Sequence, residues 1–176
     1  MSMSGMPSYN PGAEEPFSGA KPVVPQTVQR GVWLILAAAL MHVVSSIFGI
    51  INAASPATKA KIEEQLQGKS NLPANAADVA QSSAVVVGTV IAVITLALYI
   101  VIALLIRRGM NWARITGLVF AVLSLSSLVG MTFPAGIFII LQVLLGIAGI
   151  ILCYMGASSA FFADSKSFRK AAKNRL

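Results

Sequence analysis

His42 is the only histidine of this chain and Cys153 its only cysteine. An imidazole can relay a proton, bind a polar ligand or hold a metal, and a thiolate can attack or ligate. Each of these roles needs company. A metal or haem site takes further strong ligands, and there is no second histidine. A hydrolytic triad takes a carboxylate to orient the imidazole, and so would a quinone site of the usual kind; no acid lies near His42 in the sequence. One cysteine forms neither an intramolecular disulfide nor a thiol cluster, and Cys153 reads as a small packing residue. Glu63 and Glu64 are adjacent, so a helix points them in different directions. A phosphate loop with its lysine and a nucleophile elbow are both missing from the sequence. These residues predict a protein that is not an enzyme and needs no cofactor or metal.

The surroundings of His42 explain why. It sits in the first of four apolar runs, at about 31–52, 82–106, 115–133 and 137–157, none of which contains Asp, Glu, Lys or Arg. An α-helix of roughly 20 residues crosses the ~30 Å hydrocarbon core of a bilayer. Charged residues make up 11% of the chain, against roughly 25% in an ordinary soluble domain, and mean hydropathy is +0.79. A soluble helix would carry charges on a solvent face every turn or two. The predicted fold is therefore all-α: a four-helix transmembrane bundle spanning 31–157, with an outer loop at 53–81, an N-terminal tail at 1–30 and a basic tail at 158–176.

The net charge of +7 would suggest nucleic acid in a soluble protein, but here its placement speaks of topology, and no nucleic-acid partner is expected. The N-terminal tail and the loop between the first two runs each sum to zero. The turn with Arg107, Arg108 and Arg114 carries +3, and the C-terminal tail +4. The positive-inside rule places that turn and both termini in the cytoplasm. The first thirty residues hold five prolines and three glycines without an apolar core, and read as a disordered tail rather than a signal peptide.

Small and polar residues recur at helical spacing in every run. They are Ala38, His42, Ser45, Ser46, Gly49 and Ala53 in the first, and Ala84, Gly88, Ala92, Thr95 and Tyr99 in the second. The third has Gly117, Ala121 and Ser124, with Ser127 at its edge, and the fourth Gln142, Gly146, Gly149, Cys153 and Ala157. In lipid, helices associate through close van der Waals contact and interhelical hydrogen bonds, which small side chains permit. His42 must find a partner there, and Thr95, Tyr99, Ser124 and Gln142 complete a candidate internal polar site. Without carboxylate or arginine, these stripes are too apolar for an ion or sugar channel.

Outside the spans, Ser55-Pro56 reads as an N-cap followed by proline at the first helical position, opening a short helix to about Gln67 that stops at Gly68. Asn75 and Asp78 mark the start of the next helix, a turn or two before the bilayer. Two basic, aromatic elements remain. One is Arg107, Arg108, Trp112 and Arg114, with Gly109 for the turn and Asn111 as a cap. The other is Phe161, Phe162, Lys166, Arg169, Lys170 and Lys173. Both suit anionic headgroups at a membrane interface, or an acidic protein partner.

The turn 107–114 followed by a serine-rich span, the segment 158–162 with small residues before an aromatic pair, and the Pro/Gly/Tyr-containing tail around 8–12 together resemble small four-span integral membrane proteins of actinobacteria. The resemblance implies a multi-pass protein of the bacterial plasma membrane and carries no catalytic residue onto this chain. The expected function is a non-enzymatic accessory or scaffold protein with a membrane-protein partner or a second copy of itself. The alternative is a small transporter or a lipid- or hydrophobe-binding module with its site beside His42. A tight interior favours the former and a void above ~300 Å³ the latter.

Overall fold

The computed structural model describes residues 22–67, 72–129 and 133–173. The chain is all-α: α1 (Gln26–Ala53), α2 (Pro56–Leu66), α3 (Ala76–Arg107), α4 (Asn111–Ser124) with a 3₁₀ extension (Leu125–Leu128), α5 (Ala135–Tyr154) and α6 (Ala157–Lys173). Among the described residues, four helical segments are long and apolar enough to cross a membrane: α1, α3, α4 with its extension, and α5. They form a four-helix membrane bundle. At 1.5 Å per residue α3 is roughly 48 Å long, more than the hydrocarbon core requires, so its first turns stand outside.

Several boundaries differ from the sequence reading, each for a local reason. The first helix starts at Gln26, directly after Pro25, and not near 31. Val28, fully buried, extends the packing face of α1 into what reads as tail; residues 1–21 lie outside the described residues. The third span starts at Asn111 and ends at Leu128 rather than running from 115 to 133. Ser124 and Ser126 donate to the carbonyls of Ala121 and Leu123, and the helix tightens into the 3₁₀ turn there. The fourth helix ends at Tyr154, and Gly156, at φ +42°, bends the chain into α6. Asn111 is not a cap. Met110 holds that position, and Asn111 makes no capping bond.

α2 forms as expected, with the Ser55 hydroxyl accepting from the Thr58 amide; the expected stop at Gly68 lies outside the described residues. Gln81 of α3 donates to the carbonyls of Ala53 and Ser55, and Lys59 pairs with Asp78. The hydrogen bond that the Lys59 ammonium donates to the Asp78 carboxylate holds Lys59 above its usual pKa range. These bonds tie α2 across the ends of α1 and α3.

α1 packs along α5 for most of its length and also along α3, while α4 lies against α5. The tightest crossing is between backbones. A Cβ on Gly31 would fall 2.7 Å from the Gly149 carbonyl, and one on Gly149 would fall 2.9 Å from the Gly31 carbonyl. Gly149 belongs to the expected stripe. Gly31 does not, because it precedes the part of the first run where small residues recur.

At the opposite end from α2, the two basic elements fold onto each other. Gly109 (φ +71°) closes α3, with the Gly109 and Met110 amides donating to the carbonyls of Ile106 and Leu105 in a Schellman arrangement. A Cβ there would strike Ser165 of α6. Arg169 donates through Nη1 to Arg108 O at 3.1 Å and through Nη2 to Gly109 O at 3.0 Å. α6 buries Ser158, Phe161, Phe162 and Ser165, one helical face at three- and four-residue spacing. Its apolar face therefore meets protein. The Arg114 guanidinium is 4.1 Å from the Tyr154 ring centroid and 4.6 Å from that of Phe162. Arg114, Phe161 and Phe162, expected at the membrane interface, are core residues of this end because the stacked cation and the aromatic pair fill the angle between α4, α5 and α6.

Three substitutions test this packing. Gly149→Leu should cost about 3 kcal/mol, the upper end of overpacking, in detergent-titrated unfolding followed by circular dichroism. Gly88→Ala, where nothing lies within 4 Å of an added Cβ, should change stability by less than about 0.5 kcal/mol. Equal losses would refute a backbone-limited crossing. Arg114→Lys keeps the charge but loses the planar stack, and should cost about 1–2 kcal/mol in the same measurement.

Candidate functional site

Each spanning helix contributes to one cleft of about 400 Å³ at the middle of the bundle. α1 supplies His42, Ser45 and Ser46, and α3 supplies Thr95 and Tyr99. Ser124 and Ser127 come from α4 and its extension, and Gln142 from α5. All five residues of the expected polar site, His42, Thr95, Tyr99, Ser124 and Gln142, thus line the same space. The third span takes part as well, its Phe120 and Leu123 forming part of the wall.

The cleft follows from unequal helix contacts. α1 and α5 are held at the Gly31–Gly149 crossing, while α3 and α4 meet near their shared turn. The side chain of Ile102 reaches toward Gly117 at that level. Beyond it the two helices separate, and the cleft opens between them. Two wall residues on this opening, Ile91 and Leu123, are 57% and 58% exposed. In a membrane such faces meet lipid chains.

The polar floor is bonded in a defined order. His42 Nε2 lies 3.2 Å from the carbonyl of Ala92 on α3. A carbonyl only accepts, so Nε2 carries the hydrogen, and in the neutral ring Nδ1 is an acceptor. The anticipated partners of His42 were side chains. Its actual hydrogen-bond partner is backbone, and Tyr99 is a ring neighbour with centroids 5.9 Å apart. Ser45 Oγ donates to His42 O at 3.0 Å and lies 3.5 Å from Gln142 Oε1. Gln142 Nε2 donates to the Tyr99 hydroxyl at 3.3 Å, leaving the tyrosine hydrogen for another acceptor. Gln142 is buried, fixed from both sides by α1 and α3. Thr95 and Ser124 face the same space from higher on the walls, and Ser124 also donates to Ala121 O.

The sequence reading left Ser45 out of the site, although it stands one turn from His42 on the same face. It also left out the apolar walls, which no single helix reveals. Among the described residues, the lining carries no Asp, Glu, Lys or Arg. Among the described residues, no group of three or more His, Cys, Asp or Glu side chains could hold a metal ion.

The residues expected to face a membrane surface or a partner divide by exposure. Trp112 is 51% exposed, and Arg107, Arg108, Lys166, Arg169, Lys170 and Lys173 are also exposed. Arg114, Phe161 and Phe162 are not. The chain matches no protein-family model, no curated protein and no solved structure.

Proposed function

We propose that this chain takes a neutral, mostly hydrocarbon molecule with a small polar end from the bilayer into the cleft beside His42, as a binding or carrier module and not as an enzyme. The supporting observation is the cleft itself: about 400 Å³ at membrane depth, open between α3 and α4, apolar in its walls and without Asp, Glu, Lys or Arg at its floor. That volume lies in the usual range of small-molecule sites, ~300–1,000 Å³. The floor offers an acceptor at His42 and a donor at Tyr99, enough to orient a hydroxyl or carbonyl. An ion would find no countercharge there. The void turns the balance from an accessory or scaffold role to ligand binding. The scaffold reading keeps one observation, the outward face of α6 with Lys166, Lys170 and Lys173 exposed.

The orientation belongs to the same proposal. The arginine turn and α6 face the cytoplasm, α2 faces outward, and the membrane is a bacterial plasma membrane, as charge placement and the likeness to actinobacterial four-span proteins support.

Organic extracts of protein purified in mild detergent, read by mass spectrometry, test the ligand. Wild type should yield about one neutral amphiphile per chain. Ser124→Trp should fill the cleft and yield none, and His42→Leu should lower recovery about tenfold with helical content unchanged, since an imidazole bond in a membrane helix is worth only ~1 kcal/mol. Equal recovery from wild type and Ser124→Trp would refute the site. An empty wild-type extract, with a stoichiometric protein partner in a gentle-detergent pulldown, would favour the scaffold. For orientation, in a Cys153→Ala background, Ala60→Cys should react with impermeant maleimide on intact cells and Ser167→Cys only after permeabilisation; the reverse labelling would invert the topology.

A further inference from the structure

The basic end carries a second cavity, of about 560 Å³, separate from the cleft. It is a notch between the last turn of α3, the chain just before α1, and α6. Arg107, Arg108 and Arg169 line it together with Leu104, Val24 and Phe161. Among the described residues, no carboxylate lines it. The ion pairs of the described residues lie at the other end, on Lys59. Arg169 spends two donors on the carbonyls of Arg108 and Gly109, neutral groups that fix its position. Three arginines lining one notch make it a favourable place for an anion.

The setting says which anion. Arg107 is the last residue of a spanning helix, and Leu104, one turn earlier, is 52% exposed on the face that meets lipid. The notch therefore lies where hydrocarbon gives way to headgroups, with arginines on one side and apolar residues on the other. A free phosphate would gain nothing from Leu104, Val24 and Phe161. A phosphate that carries acyl chains would use both halves. Guanidinium groups match its oxygens in paired hydrogen bonds.

We propose that this notch binds the headgroup of one anionic phospholipid, with Arg107 and Arg108 on the phosphate, Leu104 and Val24 against the first carbons of a chain, and Arg169 as the positioning residue that holds α6 as the far wall. The bound lipid bridges α3 and α6. The site does not depend on the cleft or on its ligand.

The full chain, reconstituted in nanodiscs of phosphatidylcholine with phosphatidylglycerol as the probe and released for native mass spectrometry, tests this. One phosphatidylglycerol should stay bound, with about tenfold preference over phosphatidylcholine. Arg107→Gln with Arg108→Gln should erase the preference, while Lys170→Gln with Lys173→Gln, equal in charge but outside the notch, should keep it. Val24→Trp, which fills the notch and removes no charge, should also erase it, and covers the case in which the arginine pair fails to fold. Equal loss from the lysine pair would mean diffuse surface attraction and overturn the proposal. So would displacement of the lipid by millimolar inorganic phosphate, which would identify a free anion as the natural occupant, or an absence of preference in wild type.

Discussion

Two glycines on different helices touch through their backbones, and the shape of the bundle follows from that contact. Inside a bilayer, apolar side chains gain nothing by leaving lipid for one another, so helices are held by the closeness of their atoms. Gly31 and Gly149 bring α1 and α5 nearer than any side chain would allow. Gly117 does the same in milder form, admitting the side chain of Ile150 between α4 and α5. With α1 fixed on α5, α4 packed on α5, and α3 tied to α1 at its far end by α2, three sides of the ring are held together. The remaining side, between α3 and α4, is pinned near their turn and spread beyond it.

Small residues do not have one meaning here. Ser46, Gly49 and Ala53 of α1 face Ala84, Gly88 and Ala92 of α3, yet a gap of about 170 Å³ stays between them, and a Cβ on Gly49 or Gly88 would touch nothing within 4 Å. The same residue types at the same spacing produce backbone contact on one pair of helices and a groove on another. The difference lies in the crossing, which depends on both partners and is invisible in either sequence segment alone.

This also marks how far the sequence could be read. Span number, the α2 cap at Ser55 and the gathering of His42, Thr95, Tyr99, Ser124 and Gln142 were legible, because helical periodicity places such residues on faces that have to be hidden from lipid. The partner of His42 was not, because a backbone carbonyl has no letter of its own. Arg114 was misread for a related reason. An arginine beside a tryptophan at a helix end is ordinarily a headgroup contact, and only the return of α6, which brings Phe162 over it, turns it inward. That return depends on Gly156 and on Thr27 and Ser158, whose hydroxyls lie 2.8 Å apart across 131 residues of chain. Pairings at that separation have no local signature.

Because the gap between α3 and α4 is bordered by Ile91 and Leu123, each more than half exposed, the protein does not enclose its own central space. Acyl chains supply the missing wall. The volume beside His42 is then a shared property of polypeptide and solvent, set partly by chain length, unsaturation and lateral pressure in the surrounding leaflet. Two membranes of different lipid content would present the same amino-acid sequence with differently shaped interiors.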